Sequence, residues 1–273
     1  MQRRDLLAMV AGGSVAGAVR EAVAATAAGA PGVDVAASKP RTYVLVHGAW
    51  HGGWCWKHVT PRLRAAGHAV FVPTLTGFGE RVHLSNPSIN CSTHATDVQN
   101  LIAFEDLDDV ILVGHSYAGL VIGRVADRIR PRLRNLVFLD AMIPEDGKAF
   151  LPPETVAAWT KTAKDGYLLP APDPTSFGVP ADHPDMPWVK RHLTPHFLPA
   201  LAEAVHYENG GLDGVAKTFI RCTRRANSNG ALGDAAEAFV RGKPDWTWKT
   251  LDSGHDAMVT APSELTEMLL AIG

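Results

Sequence analysis

The sequence predicts an α/β chain in which a mostly parallel six-stranded sheet is covered by helices on both faces and carries an inserted helical lid. Three observations lead there. From Arg41 onward, short β-branched runs bounded by Gly or Pro alternate with stretches of helical period, the pattern of parallel strands joined by crossover helices. Between residues 141 and 214 that rhythm stops, because Pro is dense and the helical candidates are short. One apolar run, VILV, passes through Gly114-His115-Ser116-Tyr117-Ala118-Gly119 directly into a helical pattern.

Taken in order, TYVLVH at 42–47 reads as a strand apolar on both faces, followed by a helix over 54–66 and the strand HAVFVP at 68–73. DVILVG at 109–114, NLVFLD at 135–140, KTFIRC at 217–222 and WTWKTL at 246–251 supply the other four strands. Helices are expected over 93–104, 117–129 and 262–272. In the irregular stretch, short helices are expected over 153–164 and 187–207. An insertion at that point lies above the carboxyl ends of the strands, where such sheets bind ligands. Trp159, Tyr167, Phe177, Trp188 and Phe197 are too many aromatics for a disordered linker.

The 273 residues, 46% hydrophobic and 20% charged, suffice for one substantial core. A net charge of −2 without a long basic run provides no electrostatic footprint for nucleic acid or an anionic membrane. Residues 1–38 stand apart. Arg3 and Arg4 precede an apolar stretch over 6–19, and Ala25-Thr26-Ala27 offers a small-residue cleavage point. This reads as a twin-arginine-type export signal and linker, too short and Gly-rich to span a membrane. It leaves 39–273 as the exported domain, periplasmic or secreted, with no stable membrane insertion expected. Cys55, Cys91 and Cys222 permit one disulfide or three free buried thiols, and no pair has zinc or redox spacing.

The chemistry centres on Ser116. A nucleophile on a sharp strand-to-helix turn needs small residues two positions before and two after, which Gly114 and Ala118 satisfy. Serine needs a base, and in the chain order serine, acid, histidine the base follows the last strand, where His255 stands in LDSGHDAM. A developing oxyanion needs preorganised N–H donors. Tyr117, at a helix N-terminus, and Ala49, in the loop after the first strand, are the candidates. Gly48, Trp50 and His115 are expected at the substrate, with Trp54 and Trp56 adding apolar surface suited to uncharged esters.

HGAWHGGWCW, GHSYAG and SGHDAM together resemble the α/β-hydrolase branch that holds plant methylesterases, salicylate-binding esterases, hydroxynitrile lyases and bacterial pyrethroid-type carboxylesterases. The likeness runs from Arg41 onward. It implies an α/β-hydrolase fold, Ser116 as nucleophile, His255 as base and Ala49 with Tyr117 as oxyanion donors. The lyases carry Thr where Gly48 stands and Lys where Asp256 stands. In the plant relatives an Asp follows the strand equivalent to 217–222, but here that turn reads Thr223-Arg224-Arg225-Ala226. Asp140, ending the preceding strand, is the candidate acid in its place, with Asp234, Glu237 and Asp256 as alternatives.

The function expected is that of a serine carboxylesterase for small, fairly apolar esters, working through an acyl-enzyme with no cofactor or metal. A hydroxynitrile-lyase-like or cofactor-free enzyme on the same scaffold, or a non-catalytic small-ligand-binding relative, are the alternatives. The expected partner is a small-molecule ester. A homodimer is compatible with the sequence.

Overall fold

The computed structural model describes residues 39–224 and 229–272, so the expected export segment, 1–38, lies outside the described residues. Six strands form one sheet: β1 (Thr42–Val46), β2 (Ala69–Phe71), β3 (Val110–His115), β4 (Leu133–Leu139), β7 (Ala216–Cys222) and β8 (Trp246–Leu251). A two-residue ribbon, β5 (Leu168–Leu169) with β6 (His196–Phe197), pairs antiparallel above it. The sheet order is β2-β1-β3-β4-β7-β8, and every neighbouring pair is parallel.

Each central strand is apolar on both faces, which is why none shows simple alternation. Val44 and Val46 of β1, Leu112 of β3 and Phe138 of β4 face one core, while Tyr43, Leu45, Ile111, Val113, Val137 and Leu139 face the other. The first core is closed by α2 (Cys91–Phe104) and α3 (Ala118–Ile129), through Val98, Ile102, Val121 and Val125. The second is closed by α1 (Thr60–Ala65) and α9 (Pro262–Leu270), through Leu63, Leu265 and Leu269. Burying a side chain of this size stabilises the fold by about 1.5–3 kcal/mol.

Two boundaries differ from the sequence expectation. The helix expected over 54–66 is a 3-10 turn at Gly53–Trp56 followed by α1, with Pro61 in the first turn of α1, where a missing N–H costs nothing. The helix expected over 187–207 is broken into α5 (Met186–His192), β6 and α6 (Leu198–Ala202). The insertion also holds α4 (Pro153–Thr160) and a 3-10 turn at Pro174–Phe177. After β7 comes α7 (Asn229–Val240), which was not expected, and after β8 the short α8 (Ala257–Thr260). All three cysteines are buried free thiols. Among the described residues, no helix is long and apolar enough to cross a membrane.

Candidate active site

The strand order reverses between β1 and β3, and the loops leaving their carboxyl ends meet there. After β3 the backbone of Ser116 takes φ 55°, a left-handed conformation that costs energy unless its surroundings hold it. They do so on both sides. Ser116 N donates to Leu139 O at 3.1 Å, and Ser116 O accepts from Gly119 N at 3.1 Å and Met142 N at 3.0 Å. The small neighbours are required by space. A Cβ on Gly114 would stand 2.8 Å from the Ala118 carbonyl oxygen, and one on Gly119 would stand 1.9 Å from that of Met142.

The loop after β1 lies directly against this turn. A Cβ on Gly48 would come within 2.8 Å of His115 Nδ1 and 2.9 Å of Ser116 Cβ. A Thr at this position, as in hydroxynitrile lyases, would force His115 or the Ser116 turn to shift. Trp50 next door has φ 64°, an outlier for a bulky residue. It is held by Thr194 N donating to Trp50 O at 2.9 Å and by Trp50 Nε1 donating to Leu169 O at 3.2 Å. Among the described residues, neither the Ala49 amide nor the Tyr117 amide has a protein acceptor.

His255 follows β8 and Asp140 follows β4. His255 Nδ1 donates to Asp140 Oδ2 at 2.6 Å, with both side chains almost fully buried. Asp140 sits at φ 43°. Its amide donates to Ile220 O at 2.7 Å, and its second oxygen accepts from Cys222 N at 3.2 Å. The other acid candidates are engaged elsewhere. Asp234 and Glu237 hold Arg221 at 2.6 and 2.8 Å, and Asp256 turns to His51 Nε2 at 3.1 Å. Ser116 Oγ, half-buried, makes no hydrogen bond among the described residues. Such contacts commonly tighten only when substrate is bound.

His115, expected at the substrate, directly precedes Ser116. Its ring is buried, packs on that of His255 at 4.5 Å and donates from Nε2 to the His255 carbonyl at 3.0 Å, so it holds the His255 loop. Trp56 is core, and Trp54 packs edge-on against Trp188 of the insertion at 5.0 Å. Phe177, read from the sequence only as one aromatic of the insertion, faces Trp50 at 5.7 Å and His255 at 6.3 Å. Its carbonyl accepts from Asp256 N at 3.0 Å. The adjacent Gly178, at φ 76°, lies so close to Gly254 that a Cβ there would stand 2.7 Å from Gly254 Cα.

Sequence reasoning also passed over three buried histidines whose partners define their protonation. His47 donates from Nδ1 to Gly48 O at 2.8 Å and accepts at Nε2 from Leu75 N at 3.0 Å. His94 donates from Nε2 to Thr76 O at 3.1 Å and accepts at Nδ1 from the Tyr117 hydroxyl at 2.8 Å. Each needs one bare nitrogen and is neutral, and burial lowers their pKa values to about 3 and about 4. His51 is the opposite case. Nδ1 faces Ala49 O at 2.7 Å and Nε2 faces Asp256 Oδ2. Burial opposes its charge, but the Asp256 carboxylate and these hydrogen bonds outweigh that and raise its pKa.

A group that binds protons more weakly folded than unfolded stabilises the fold fully above its unfolded pKa, near 6.5 for histidine. That contribution is lost as the pH falls toward the folded value. Stability is therefore expected to fall from about pH 6 toward pH 4, beginning above the range in which ordinary carboxylates titrate, whereas His51, whose pKa is raised, contributes stability below about pH 6.5 that is lost as the pH rises through its folded value. A thermal midpoint unchanged down to pH 4.5 would contradict this.

A serine on a tight strand-to-helix turn, with an imidazole and a carboxylate paired at the same carboxyl edge of the sheet, is the layout of a hydrolase-type α/β protein. The profile of the alpha/beta hydrolase family matches residues 43–268. A carbendazim hydrolyzing esterase from Nocardioides sp. (strain SG-4G) is 41% identical over 248 residues, spanning 85% of this chain and 99% of that one. Methylesterase 3 of Arabidopsis thaliana is 27% identical over 256 residues, spanning 84% and 94%. Among solved structures, an extracellular alpha/beta-hydrolase from a Paenibacillus species superposes with a TM-score of 0.73 at 24% identity, covering 86% of this chain and 99% of that one. A pyrethroid hydrolase from Sphingobium faniae JZ-2 gives 0.68 at 22%, covering 85% and 97%. The chain belongs to the alpha/beta hydrolase family, in the branch of these esterases.

Proposed function

We propose that the protein is a serine carboxylesterase for small, fairly apolar esters. Ser116 Oγ attacks the ester carbonyl while His255 Nε2 takes its proton. The amides of Ala49 and Tyr117, free of protein acceptors, receive the oxyanion. The C–O bond then breaks, His255 protonates the departing alkoxide, and a water activated by the same imidazole hydrolyses the acyl-enzyme. Asp140 fixes the tautomer that leaves Nε2 free to accept. The 2.6 Å contact between His255 Nδ1 and Asp140 Oδ2, at the strand ends that also present Ser116, carries this reading. The 41% identity to an esterase along 99% of its length supports it. Trp50, Phe177 and Trp54 provide apolar, aromatic surroundings that favour uncharged substrates.

A short-chain p-nitrophenyl ester is expected to give a burst of p-nitrophenol, abolished by Ser116→Ala. Binding of the ester without turnover would instead mark a ligand-binding relative, and mandelonitrile cleavage without ester cleavage would mark a lyase. Arg3, Arg4 and the apolar stretch behind them support export by the twin-arginine route. Activity confined to the cytoplasm of the native host would refute that part.

A further inference from the structure

The Asp256 carboxylate and the His51 ring are both fully enclosed, 205 residues apart in sequence, and neither belongs to the serine, histidine and acid set. His51 faces an oxygen at each ring nitrogen, the Ala49 carbonyl at 2.7 Å and Asp256 Oδ2 at 3.1 Å. Only an imidazolium donates at both. The groups around the ring are Trp54, stacked at 5.3 Å, Phe177, edge-on at 5.3 Å, and His115, edge-on at 6.0 Å. Asp256 is itself anchored. Its amide donates to Phe177 O, and its carbonyl accepts from Val259 N at 2.9 Å and Thr260 N at 3.0 Å. Among the described residues its second carboxylate oxygen has no hydrogen-bond partner, with His115 Nε2 3.9 Å away and already committed to the His255 carbonyl.

A buried ion pair with an unsatisfied oxygen is a poor source of stability, since apolar residues of similar volume do as well or better. What it joins is more telling. At one end is the carbonyl of Ala49, whose amide is the proposed oxyanion donor, in the loop where Trp50 holds its left-handed backbone. At the other is the residue immediately after His255. We propose that His51 and Asp256 are positioning residues that lock the oxyanion loop onto the base loop, so that the Ala49 N–H and His255 Nε2 keep their mutual placement through the reaction. This rests on the serine-esterase reading above. The bond from His51 to Ala49 O closes a ring around the strained Trp50 peptide and keeps the Ala49 amide from rotating away. Asp256 gives that ring a fixed post.

The test is the double variant His51→Phe with Asp256→Leu, which removes both charges at once and leaves no unpaired ion in the core. It is expected to fold with a thermal midpoint equal to or above that of the parent. Its kcat on a p-nitrophenyl ester is expected to fall about 30–100-fold, approaching the loss of one oxyanion donor, with KM within about threefold. Asp256→Asn, whose amide can still bridge a neutral His51, is expected to recover at least about tenfold of the loss. A folded double variant with kcat within threefold of the parent overturns the proposal, as does a loss that appears only in KM. Wild-type enzyme and Ser116→Ala are run alongside. If the wild type releases no p-nitrophenol, or Ser116→Ala still does, the esterase reading has failed rather than the coupling.

Discussion

Asp140→Asn is expected to lower kcat by about 10⁴-fold while shifting the thermal midpoint by no more than a few degrees. The reason is the second oxygen of the carboxylate. Cys222 N–H donates to it at 3.2 Å, so an asparagine orients with its carbonyl toward Cys222 and its NH₂ toward His255 Nδ1. That leaves Nδ1 as acceptor and moves the ring proton to Nε2, where it points at Ser116 and blocks proton abstraction. The side chain has nearly the same volume and keeps a partner at both ends, so the fold survives. Steady-state kinetics and a melting curve on the same preparation decide the matter. Turnover within tenfold of the parent in a folded variant would move the acid role away from Asp140.

Gly119→Ala is expected to destabilise the protein by about 3 kcal/mol or more, beyond the ordinary range for an added methyl group. For a domain of this size that corresponds to a midpoint lower by about 10 °C. The new Cβ would lie 1.9 Å from the Met142 carbonyl oxygen, a backbone atom that no rotamer change can remove. The segment after β4 must therefore retreat. Because Met142 N is bonded to Ser116 O, the serine turn retreats with it, and esterase activity falls alongside stability. A melting temperature within 2 °C of the parent would show that the backbone there yields more easily than its hydrogen bonds suggest.

The strands of this fold are legible because central parallel strands are apolar on both faces and end at Gly, Pro or a charged residue. The Ser116 turn is legible because steric demand writes itself as small residues at set spacings. Asp140 could be read only as a carboxylate at a strand end. What draws it to His255 is its left-handed backbone and the Cys222 amide and Ile220 carbonyl of β7, neither of which leaves a periodic mark. The ribbon of β5 and β6 escaped for the same reason, two residues being too few to show alternation. Helix α7 has Gly230 and Gly233 among its residues, a composition that argues against a helix. It is nevertheless built into the core through Ala236 and Val240. His51 stands in the open in HGAWHGG, yet its partner is 205 positions away, and no local pattern links them.

The contact between Gly178 and Gly254, with Phe177 O accepting from Asp256 N, has an evolutionary consequence. The insertion, proposed to shape the substrate space, is stitched at this corner to the peptide on either side of His255, the proposed base. A substitution at 177 or 178 that reshapes the pocket also shifts His255, so selectivity and turnover cannot be tuned independently there. If the insertion shapes the substrate space, substitutions remote from this seam, such as on α4 where Trp159 is exposed, are expected to disturb His255 least.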